Sequence, residues 1–86
     1  MEITVKMPVC IAPELLDVRV SVGTVVEIGD ILFSYSADGA LLFEYSAFSG
    51  VVTRICASRG EINCGDAVLR MTAEKPEGEL FPQSQK

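Results

Sequence analysis

Residues 29–50 read GDILFSYSADGALLFEYSAFSG, two runs rich in apolar and β-prone residues on either side of Asp38-Gly39. This pattern predicts a β-hairpin. Asp-Gly supplies the positive backbone dihedrals that a two-residue primed turn demands, and Gly39 adopts them without a Cβ penalty. Facing residues in such a hairpin have numbers with a constant sum. Ala37 is therefore expected opposite Ala40, Tyr35 opposite Leu42 and Ser34 opposite Phe43. Neither face is purely polar, so a tip projecting from a small domain is a candidate recognition surface. Its residues are Ala37, Asp38, Gly39, Ala40, Leu41 and Phe43.

Outward from the hairpin the chain keeps reading as strands. Residues 1–7 alternate Ile3, Val5 and Met7 with Glu2, Thr4 and Lys6, the period-two pattern of a half-buried strand, and Pro8 ends it. A loop containing Cys10 and Pro13 follows. Leu16, Val18 and Val20 then alternate with Asp17, Arg19 and Ser21 up to Gly23. Val25-Val26 forms a short strand before the turn residues Gly29-Asp30. Beyond Gly50, residues 51–57 suit a strand, Arg59-Gly60-Glu61 reads as a turn, and residues 67–72 form the last strand. No segment shows helical periodicity, so the class is all-β.

The second half echoes the first at an offset of 36 residues, laying Gly29-Asp30-Ile31-Leu32-Phe33 over Gly65-Asp66-Ala67-Val68-Leu69, and Ala37 over Ala73. Upstream the echo slips by one, because the spacing from Gly23 to Gly29 exceeds that from Gly60 to Gly65. Two repeats are too few for a solenoid. Mutual burial in a closed, pseudo-twofold sandwich or barrel is the better solution, and closure also hides strand edges. From Glu74 the composition turns to EKPEGELFPQSQK, which divides the chain into a β domain over 1–73 and a flexible polar tail over 74–86. Leu80-Phe81-Pro82 is the one apolar motif in that tail.

Composition bounds the function. The chain has 86 residues, 49% of them apolar, enough for one small core. A net charge of -5 disfavours nucleic acid or an anionic membrane as partner and suits a basic protein. Cys10, Cys56 and Cys64 are too few for a disulfide framework, and without histidine no mixed zinc site can form, which favours a reducing compartment. No stretch approaches the roughly 20 apolar residues that span a bilayer, and no basic segment leads into an apolar run. A soluble, cytoplasmic protein is expected.

Taken together, the opening strand ending in Met7-Pro8, the Gly23 to Gly29-Asp30 unit, the central hairpin, Ser49-Gly50-Val51-Val52 and the Gly60 to Gly65-Asp66 unit resemble the biotinyl/lipoyl domain family. The likeness is greatest to the lipoyl domains of 2-oxo acid dehydrogenase complexes and covers about Ile3 to Thr72. The resemblance implies a flattened barrel-sandwich hybrid of two four-stranded antiparallel sheets with quasi-twofold symmetry. It also implies an Asp-Lys pair at the hairpin tip, the lysine carrying lipoyl or biotinyl through an amide. Here Asp38 holds the aspartate position and Gly39 the lysine position. Gly39 has no amine. The other lysines, Lys6, Lys75 and Lys86, fall outside the hairpin; the Met-Lys-Met of biotin carriers is absent; and the Pro-Ala-Pro of many lipoyl domains stands as Tyr45-Ser46-Ala47.

No Cys-His or Ser-His pairing, phosphate-binding glycine loop or metal spacing points to an enzyme. With neither lipoate nor biotin attachable at Gly39, the resemblance implies a carrier-like domain that works as a protein-interaction or assembly module. The alternatives are a variant or engineered swinging-arm carrier domain and a small ligand-binding protein. Among the remaining residues, Tyr35, Phe43 and Tyr45 read as largely core, and Cys56 and Cys64 as small packed hydrophobes. Asp30, Asp38 and Asp66 read as turn formers, and Glu14, Glu27, Glu44 and Glu61 as a solvated acidic face.

Overall fold

The Asp38-Gly39 turn sets the register of everything beside it. In a computed structural model that describes residues 1–73, Asp38 and Gly39 have φ of 50° and 81°, as a primed turn requires. The hairpin pairs β4 (Ile31–Ala37) with β5 (Ala40–Tyr45), placing Ala37 opposite Ala40, Tyr35 opposite Leu42 and Ser34 opposite Phe43. The predicted register is the observed one. The expected tail and its Leu80-Phe81-Pro82 motif lie outside the described residues.

Around the hairpin run β1 (Glu2–Lys6), β2 (Glu14–Val18), β3 (Val25–Val26), β6 (Gly50–Ile55), β7 (Gly60–Glu61) and β8 (Ala67–Ala73). They form two four-stranded sheets, ordered β1-β8-β6-β3 and β5-β4-β2-β7. Every pairing is antiparallel. Except for the β4–β5 hairpin, each connection carries the chain from one sheet to the other, so both sheets must be present for either to be complete. The sheets are not joined edge to edge. The flattened barrel implied by the resemblance is realised as a two-sheet sandwich, since the outer strands β3 and β7 offer only two paired residues each.

The internal echo is a symmetry of the fold. Exchanging β1 with β5, β2 with β6, β3 with β7 and β4 with β8 turns one sheet order into the other. The correspondence extends to single hydrogen bonds. Arg19 N donates to Leu32 O and Cys56 N to Val68 O, both at 2.8 Å. Asp30 Oδ2 accepts from Glu27 N at 2.9 Å, as Asp66 Oδ2 accepts from Asn63 N at 3.2 Å. Both aspartates therefore build Asx-type turns, as expected. Even the irregularities repeat: a bulge between Leu15 and Asp17 has its counterpart between Val52 and Arg54.

A second pair of bulges shapes the core. Leu32 is the extra residue between Ile31 and Phe33 in the β4–β5 ladder, and Val68 the extra residue where β8 meets the shift between Val5 and Lys6. An extra residue breaks the strict alternation of faces. Leu32-Phe33 and Val68-Leu69 are accordingly buried as consecutive pairs, and with Met7, Leu15, Val26, Val52 and Met71 they fill the space between the sheets.

Two expectations need correction. The alternation of Leu16, Val18 and Val20 pointed to a strand starting at Leu16, whereas β2 starts at Glu14, and Leu15 is its fully buried residue. The bulge after Leu15 resets the phase. Gly60-Glu61, read as part of a turn, is the edge strand β7, pairing with Leu15 and Glu14.

Candidate functional site

At the hairpin tip, Asp38, Gly39, Ala40 and Leu41 are exposed, Leu41 by 59%. Two of the residues expected there are not. Ala37 is buried as the last core position of β4. Phe43 is half-buried, with the Arg19 guanidinium 5.9 Å from its ring centroid and Arg19 Nε donating to Asp17 Oδ2 at 2.9 Å. That cation–π contact, worth about 0.5–1 kcal/mol at such a site, makes Phe43 a packed residue. Of the other two aromatics, Tyr35 is buried and Tyr45 exposed.

A Cβ built on Gly39 meets nothing within 4 Å. The position has room for a side chain, but its φ penalises one. Gly39→Asn is expected to cost a few tenths of a kcal/mol and Gly39→Val about 1–2 kcal/mol, because a β-branched residue resists positive φ. Equal melting temperatures for the two variants would contradict the primed turn. Covalent attachment does not fit the tip. Gly39 supplies no amine, and Lys6 lies in the opposite sheet, beside a groove that includes Glu44 and Tyr45 at the far end of the hairpin.

The tip does not stand alone. Asp38 N donates to Ile11 O at 3.1 Å, which fastens the β1–β2 loop against the turn. On its other side that loop is held by the β7–β8 turn, where Met7 N donates to Asp66 O at 2.9 Å and Gly65 N to Met7 O at 2.8 Å. So anchored, the loop exposes Val9 by 96% and Ile11 by 67%. With Leu41 they are exposed apolar side chains on the hairpin tip and on the loop fastened to it. The sequence marks this stretch as a loop, with Cys10 and Pro13 in it, but does not single it out as a surface. The available signal was the run Val9-Cys10-Ile11-Ala12 between Pro8 and Pro13, apolar residues without alternation in a segment that cannot be a strand.

Beneath the loop opens a groove of about 620 Å³ lined by Cys10, Pro13, Glu14, Glu61, Cys64 and Asp66 among others. Glu14 and Glu61 are direct cross-strand neighbours. Like charges in that position repel, and a cation from a partner would relieve them. The four glutamates do not form one face, however. Glu27 lies in the β3–β4 turn, while Glu44 is on β5, at the sheet edge opposite β7.

Glu44 also departs from the solvated role. Paired with the buried Phe33, it is half-buried, and desolvation raises its carboxyl pKa above the ordinary range. A carboxyl with a raised folded-state pKa favours folding most below its unfolded pKa of about 4.3, and that contribution is lost as pH rises through the folded value. Glu44→Gln is therefore expected to melt above the wild-type protein at neutral pH and to converge with it near pH 3. A constant difference across that range would contradict the assignment. Tyr35 likewise has a raised pKa, through burial first, then Glu44 and Cys10.

Cys56 and Cys64 are exposed, not packed. Cys56 sits just beyond β6, where the strand leaves its sheet, and Cys64 sits in the β7–β8 turn. Cys64 reaches Cys10 across the groove: Cys10 N donates to Cys64 Sγ at 3.3 Å, and Cys64 Sγ donates to Cys10 O at 2.8 Å. No helix forms among the described residues, so none of them belongs to a helix long and apolar enough to cross a membrane. A scan against protein-family models and a search of curated proteins both return no match to this chain.

Proposed function

We propose that this chain is a lipoyl/biotinyl-like domain without an attachment lysine, acting as a protein-interaction or assembly module. One observation carries the reading: the tip that would present an amine ends in Gly39, while the surface around it exposes Val9, Ile11 and Leu41 above a groove bearing Glu14, Glu61 and Asp66. Apolar anchors beside unrelieved negative charge suit a protein partner that offers both a hydrophobic contact and basic side chains. Nucleic acid and anionic membranes fit this charge poorly. The three free thiols suit a reducing compartment such as the cytoplasm.

The test is affinity capture from the source cell with the wild-type domain and single variants. A partner held through this end is expected to be lost with Ile11→Asp and Leu41→Asp and weakened by salt, but retained by Val25→Asp, whose side chain is exposed on β3 in the other sheet. Equal capture by all four proteins would contradict the proposal. The open space at Gly39 favours one second reading, a variant of a true swinging-arm carrier. Under it, Gly39→Lys becomes a substrate for a lipoyl or biotinyl ligase; no acylation argues for long divergence.

A further inference from the structure

We propose that Cys10 and Cys64 are a redox pair that closes to an intradomain disulfide and staples the β1–β2 loop to the β7–β8 turn. The two residues are 54 positions apart, yet Cys64 Sγ touches both polar main-chain atoms of Cys10, accepting from its N at 3.3 Å and donating to its O at 2.8 Å. This approach is fixed by the fold. The flanking pair of backbone bonds between Met7 and residues Gly65 and Asp66 holds the two segments together immediately beside it. The Cys10 thiol now donates to Pro8 O at 3.1 Å. The bridge requires that side chain to turn about its Cα–Cβ bond, away from Pro8 O and toward the Cys64 sulfur.

The pair lies on the rim of the groove, with Cys64 exposed and Cys10 half-buried. A small oxidant such as a peroxide reaches Cys64 first. Its sulfur attacks the peroxide, the O–O bond breaks, and Cys64 becomes a sulfenic acid with release of one water. Cys10 then attacks the sulfenic sulfur; the S–S bond forms, the S–O bond breaks, and the departing hydroxide takes the Cys10 proton as a second water. Two thiols lose two electrons and two protons, and one peroxide is reduced to two waters. Cys10, the less exposed of the two, takes the resolving step, and desolvation, then the neighbouring Cys64 thiol, raise its pKa. Cys56 lines a neighbouring groove that includes neither cysteine, and it serves as the internal control.

The full-length chain treated with stoichiometric hydrogen peroxide tests this directly. The expected product is a monomer lighter by two hydrogens that yields a Cys10–Cys64 linked peptide on non-reducing digestion. Because the bridge closes a long loop, its melting temperature should rise by roughly 10 °C or more and return to the starting value with dithiothreitol. Cys56→Ser should behave like the wild-type chain, whereas Cys10→Ser and Cys64→Ser should lose both the mass change and the shift. Cys64 driven to sulfinic acid with Cys10 still reduced, or linkage found only between chains, would overturn the proposal. The wild-type peptide map decides the matter even if a serine variant folds poorly.

Discussion

Phe33→Ala is expected to remove about 4 kcal/mol of stability, most of what a domain this size possesses. Phe33 is fully buried at the centre of β4, and its ring lies 5.8 Å from that of Tyr35 at an interplanar angle of 49°. Truncation forfeits the transfer energy of the ring, leaves a cavity that two sheets cannot collapse to fill, and breaks an aromatic pair worth about 0.5–1.5 kcal/mol beyond its buried area. Because β4 pairs with both β2 and β5, the loss should unfold the domain as a unit. Urea titration is the measurement. A midpoint lowered by more than half with an unchanged m-value is expected, and a loss below 1 kcal/mol would show that the sheets do not meet over this residue.

The second large effect comes from adding one carbon. Gly50 pairs with Ala73 on one side and Val26 on the other, and a Cβ there would overlap the Thr72 carbonyl oxygen and stand 2.9 Å from the Ala73 Cα. Both neighbours are backbone. No rotamer change relieves the clash, so β6 and β8 must separate where Val51 faces Thr72. Gly50→Ala is expected to cost about 3 kcal/mol. Gly39→Ala, with open space around it but positive φ, should cost about 1 kcal/mol. Thermal melts of the two alanine variants separate a spatial demand from a conformational one. If the order were reversed, the β6–β8 register would be wrong.

What the sequence made legible, it did through local chemistry with few competing outcomes. Asp38-Gly39 admits one turn family, and that turn fixes the β4–β5 register. The echo between Gly29-Asp30 and Gly65-Asp66 reappears as paired Asx turns and as the exchange of one sheet for the other. Elsewhere the pattern was overridden by tertiary context. Leu15 is core because a bulge resets the strand phase, an event that no alternation count registers. Gly60-Glu61 is a strand only because Glu14 and Leu15 lie beside it. Cys64 is exposed although cysteine is commonly buried, since its turn is spent holding the β1–β2 loop. The tip was recognisable as a surface, but its apolar partner, Val9 with Ile11, comes from a loop far away in sequence and close only in the folded chain.

Intact-protein mass spectrometry of the chain isolated from its native cells decides whether the hairpin bears a prosthetic group. No lipoyl or biotinyl mass increment on residues 1–86 is the expected result for a tip that ends in Gly39. A lipoyl or biotinyl increment anywhere on the chain would contradict it, and would mean that Lys6, Lys75 or Lys86 does the work that the hairpin cannot.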